Sequence, residues 1–154
     1  MSQAKAFFRP TALSLILVPG LVAQVPASTP APTTDHDAAI VLRSVRQADS
    51  ILKQDGMLGL RTFVENMQEK AASGDRDKLI EFMSYNLFGT ILDEGMSKNF
   101  GTPPNEFFAP TAMEARIDAV LPKNSTPPDQ RVPLYKYCIA EVRKDMNKLN
   151  NAQK

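Results

Sequence analysis

Ser50-Ile51-Leu52-Lys53 has the clearest catalytic spacing in the chain. A Ser and a Lys one helical turn apart serve as nucleophile and base in serine beta-lactamases and penicillin-binding proteins. The K-T-G and S-D-N companions are absent and 154 residues are too few for that fold, so a solvent-facing pair on a helix is expected instead. Asp35-His36-Asp37 offers the ligand types of a divalent metal site. Consecutive residues of a helix point in different directions, however, and acidic residues in a first turn already have a role beside the positive end of the helix dipole. His36 has no rigid support that would aim it at a serine.

Carboxylates recur as Glu65 with Glu69, Asp75 with Asp77, and Asp93-Glu94. Two carboxylates meeting in a cleft can act as acid and base, so a small exported hydrolase using Glu65 or Glu69 with Asp93 or Glu94 is the competing functional reading. Each group also has a basic neighbour (Lys70, Arg76, Lys98), which is the pattern of a solvated helix face. Asp75-Arg76-Asp77-Lys78 lacks the glycine and terminal glutamate of a calcium loop. No phosphate-binding glycine motif appears. Neither a catalytic residue, a metal ligand nor a cofactor is assigned on this basis.

Asn124-Ser125-Thr126 is a glycosylation sequon followed by Pro127, which disfavours modification. Cys138 falls on an apolar helix face and is expected to be a small buried hydrophobe, the alternative being an intermolecular disulfide. The methionines beyond Met1 are dispersed over the helices, which suits core filling better than copper binding.

The elements that must carry these groups begin after a leader. Residues 1–27 combine Lys5 and Arg9 with an apolar run and no acidic residue, the pattern of a secretory signal. The apolar stretch 11–25 is broken by Pro19-Gly20 and falls short of the roughly 20 residues of a spanning helix. Cleavage after Ala27 is preferred to cleavage after Ala23, and a secreted or periplasmic location follows. Residues 28–34, STPAPTT, read as a Pro/Thr-rich tether.

The remainder, 35–154, keeps a helical period and lacks the alternation of strands, so an all-α bundle of about five helices is expected. The first runs to about Gln54, and Asp55-Gly56 breaks it from a second that ends near Ala72. Asp75 caps a third over 76–92, extending toward Asn99, which is apolar on nearly all sides and belongs in the centre. Thr111-Ala-Met-Glu114 has the pattern of a capping box opening a short fourth helix, and Pro133 opens the last.

Eighteen Lys and Arg against 17 Asp and Glu leave a formal charge of +1, with no excess to hold a phosphate backbone. The absence of Trp and the presence of three Tyr leave few stacking platforms for bases or sugars. Nucleic acid is therefore not the expected partner. The main expectation is an exported binding module for a protein partner, similar at class level to small periplasmic inhibitors and immunity proteins. Its contact residues are taken to be Phe107 and Phe108, on the stiff loop 101–110, with Asp93 and Glu94 beside them, the competing reading being a loop that folds back over the open end of the bundle. A structural component of the cell envelope is a third reading.

Overall fold

The structure, a computed structural model, describes residues 35–152. The leader, both cleavage sites and the tether lie outside the described residues. Four helices are present: α1 (Asp35–Ser73), α2 (Arg76–Phe100), α3 (Pro110–Val120) and α4 (Pro128–Ala152). No strand occurs among the described residues, and none of their helices is long and apolar enough to cross a membrane.

The first two expected helices form one element, because the break at Gly56 costs a single non-helical residue (φ 67°, ψ −166°). A straight helix of 39 residues would be about 58 Å long. Instead, α1 folds back on itself. The Tyr85 hydroxyl of α2 donates to Gln47 Oε1 at 2.7 Å, while the Phe63 ring meets the Tyr85 ring at 4.7 Å. Residues 47 and 63 thus reach one residue from opposite sides of position 55. A Cβ on Gly59 would lie 2.2 Å from that of Asp55, so the tight fold needs a second glycine there.

Residues 35–55 run parallel to α2, with Arg43 pairing Glu81 at 2.7 Å and Gln47 bonding Tyr85, each 38 positions on. Residues 57–73 run antiparallel to α2. Asp75 then caps α2 by accepting the Lys78 N–H at 3.2 Å, as the sequence predicts. The chain continues down through α3, where Arg116 Nε donates to Asn86, and up through α4.

Consequently α2 packs against every other element, which explains its greasiness all round. Every residue from Phe82 to Thr90 is buried. Its polar members mostly turn inward on the helix itself: Ser84 Oγ donates to the Ile80 carbonyl at 2.7 Å and Asn86 Nδ2 to that of Phe82 at 2.9 Å.

Two helix starts differ from expectation. Ala109, and not Thr111, is the N-cap of α3, and no side chain caps it. Pro110, with φ preset for helix, begins the element before Thr111 and leaves Glu114 out of any capping box. In α4 the initiating proline is Pro128, so Pro133 sits inside the helix, where it forgoes one bond to a preceding carbonyl.

Candidate functional site

Beyond Phe100 the helix ends at Gly101, whose left-handed backbone (φ 66°) sends its N–H to the Ser97 carbonyl at 3.0 Å. The loop then turns back over α2. Asn105 organises it: its backbone N–H donates to the Asp93 carboxylate, its Oδ1 accepts the Phe107 N–H, and its carbonyl accepts the Phe108 N–H, all at 3.0 Å.

This places Phe108 fully inside the bundle, against Gly89. A Cβ at Gly89 would lie 2.2 Å from Phe108 Cε1, so the ring occupies the space any other residue would fill. Phe107 is half-buried, edge-on to Phe108 at 4.9 Å, with the Arg116 guanidinium 3.8 Å and that of Arg61 5.0 Å from its ring centre. Burial pushes the Arg116 pKa down, and Glu65 opposes the shift. Of the four expected contact residues, Phe108 and Asp93 are buried, Phe107 is half-buried, and only Glu94 is exposed. The loop closes the core.

The other chemically suggestive groups are also engaged locally. Lys53 pairs with Asp49 at 2.6 Å and the Ser50 hydroxyl accepts from Gln54 at 3.2 Å, so the Ser-Lys spacing makes no mutual contact. His36 bonds Asp77 at 2.9 Å, and Asp37 pairs with Arg76 at 2.8 Å. No group of three metal-ligating side chains occurs among the described residues. Glu65 pairs with Arg61 at 2.9 Å and shares a shallow groove with Glu69 and Lys123, and neither Asp93 nor Glu94 lines that groove.

Cys138 is buried beside the Asp37–Arg76 pair, and burial, reinforced by Asp37, pushes its thiol up to about 12. Burial likewise lifts Tyr85 to about 12. Two results are expected. A thiol reagent at about pH 8 labels Cys138 only when the chain unfolds, since the thiolate is the reactive form. Labelling of the native chain at the rate of an open thiol would contradict this. Both groups also bind protons more tightly folded than unfolded. Their contribution to stability is complete below about pH 9 and is lost as pH rises toward 12. Urea midpoints that stay flat between about pH 8 and 11 would contradict that.

An open surface exists where α2 and α4 end together. Phe100, 79% exposed, stands at the rim of a groove of about 260 Å³ between their C-terminal turns. Its walls include Met96 and Met146, and no atom lies within 4 Å of where a Gly95 Cβ would be. Arg143 is the one ionised residue of the lining and has no ion-pair partner among the described residues. An apolar notch with flexible thioether walls can accept a side chain from a partner, and it offers no acid, base or nucleophile.

Read from the sequence, this helix ends at Leu92 or toward Asn99, short of Phe100, which leaves the groove out. The available signal was Gly95 in a largely apolar helix, five residues before an aromatic residue that no later helical turn covers. No family model, curated protein or solved structure matches the chain.

Proposed function

We propose that the protein is an exported helical module that acts by binding a protein partner through the groove between the C-terminal turns of α2 and α4. The observation that supports this most is the exposure of Phe100: it is the most exposed large apolar side chain on the described surface and sits on an apolar recess. Buried aromatic anchors dominate interface energies, and an exposed ring beside a notch is poised to become one. Glu94 is exposed on the same stretch of α2 but does not line the groove. The near-neutral charge fits recognition by shape and apolar contact.

The test is affinity capture from the protein's own cell envelope with wild type, Phe100→Asp and Gly95→Leu, followed by mass spectrometry. Both substitutions face solvent or open space, so they leave the fold intact. The partner present with wild type should fall at least about tenfold with each variant, the loss of a 1.4 kcal/mol contact or more. An unchanged captured set with both variants would refute the assignment.

A further inference from the structure

Four helical segments surround α2, and the ring they form has one gap. No Cα of α3 lies within 8 Å of one in α4, although α3 touches α1 and α2, and α4 does likewise. Helices in contact pack with axes about 8–10 Å apart, so α3 and α4 are splayed. Between them is a groove of about 200 Å³ floored by Ile117, Leu121, Val132 and Tyr135, with Val132 61% exposed. It involves the first turns of α4, at the opposite end of that helix from Phe100's groove, and is independent of it.

Two of the three ionised residues that line this gap are acidic. Glu114 and Asp118 line it one helical turn apart, are exposed, and have no ion-pair partner among the described residues. The remaining ionic residue, Arg131, is turned to the Thr126 carbonyl through Nε at 3.1 Å. The Tyr135 hydroxyl, which donates to Met113 Sδ at 3.7 Å, is kept protonated first by burial and then by the fields of Glu114 and Asp118. Both carboxylates thus line the groove and are exposed to it, with no ion pair on α3 itself.

We propose that this groove is a second docking surface, and that it takes an amphipathic helix of another protein carrying Lys or Arg beside its apolar stripe. A stripe at i, i+3, i+4 and i+7 fits a trough between two splayed helices, and the flanking cations meet Glu114 and Asp118. The lack of internal partners for those carboxylates is what selects a basic occupant over an acidic one.

The test uses the full chain and two fluorescein-labelled helical peptides of about 18 residues with the same Leu stripe, flanked by Lys in one and Glu in the other. Fluorescence polarisation at low salt should show the Lys peptide binding at least about tenfold more tightly, with the advantage shrinking as salt is added. Combined Glu114→Gln and Asp118→Asn should erase the preference, and Val132→Ser should weaken binding of the Lys peptide. Equal affinities, absence of binding, or a preference that survives the double substitution would overturn the proposal. So would loss of the Lys peptide on Phe100→Ser, which would move the site to the other groove. Sedimentation as a dimer that Val132→Ser dissociates would make a second copy the occupant and would overturn it too.

Discussion

Phe108→Ala should lower the free energy of unfolding by about 3–5 kcal/mol, the cost typical of emptying a large core site. The ring is fully buried, and its face lies where a side chain on Gly89 would otherwise be. The Asn105 hydrogen bonds hold the loop from its other side, so the backbone cannot simply collapse into the void. With domains stable by only about 5–15 kcal/mol, this is a large share. Gly89→Ala gains about 1 kcal/mol of helix propensity yet should still destabilise, because its methyl meets Phe108 head-on. Combining the two substitutions should cost less than their sum, since Ala at 108 vacates the space that Ala at 89 needs. Urea denaturation of the two single variants and the double variant decides this, and strict additivity would show that the ring and the glycine are not competing for one volume.

Asn124 should be the other position of large effect. Its buried amide Nδ2 lies 2.7 Å from the Ala71 carbonyl and 3.0 Å from those of Gly74 and Asp75, and its Oδ1 accepts the Thr126 N–H and hydroxyl at 2.9 and 2.7 Å. One side chain thus ties the loop after α3 to the end of α1 and the start of α2. Asn124→Ala strands buried groups on both sides, for a loss of about 3 kcal/mol. Asn124→Asp should be worse at neutral pH. A carboxylate oxygen would replace the donor and face three carbonyls, which raises its pKa in the folded chain. The stability of that variant is therefore highest below about pH 4 and declines as pH rises through the elevated pKa. If Asn124→Asp proved as stable as wild type at pH 7, the three carbonyl contacts would not be what holds this turn. The same burial closes the sequon: in the folded chain the acceptor nitrogen is occupied and unreachable.

Much of the fold was readable because helical periodicity is a local signal. The break at Gly56, the Asp75 cap and the central place of α2 follow from residues within a turn or two of each other. Contacts between distant residues were not readable. A loop at 101–110 folding back over the open end of the bundle was readable, but the seating of Phe108 against Gly89 was not, because nothing in either segment points to the other. The opening of α3 failed for a different reason: the Thr111–Glu114 pattern fits a capping box, but Pro110 begins the helix first and places Thr111 inside it. Pro133 looked like a start because prolines inside helices are costly, and Pro128 made that cost tolerable by starting the helix a turn and a half earlier. At the candidate site the sequence pointed to a neighbouring stretch of chain. Its adjacent phenylalanines turned out to close the core, and the exposed ring is Phe100, at the end of the helix before them.

The fold-back at Gly56 also determines where the second half of α1 can lie. Residues 35–55 and 57–73 are joined by a hinge of one residue, and a positive φ is what keeps them folded together. If that residue takes ordinary helical angles, α1 becomes one straight rod, and residues 57–73 point away from their own α2. The backbone angles of Gly56 thus decide whether residues 57–73 can reach their own α2 at all.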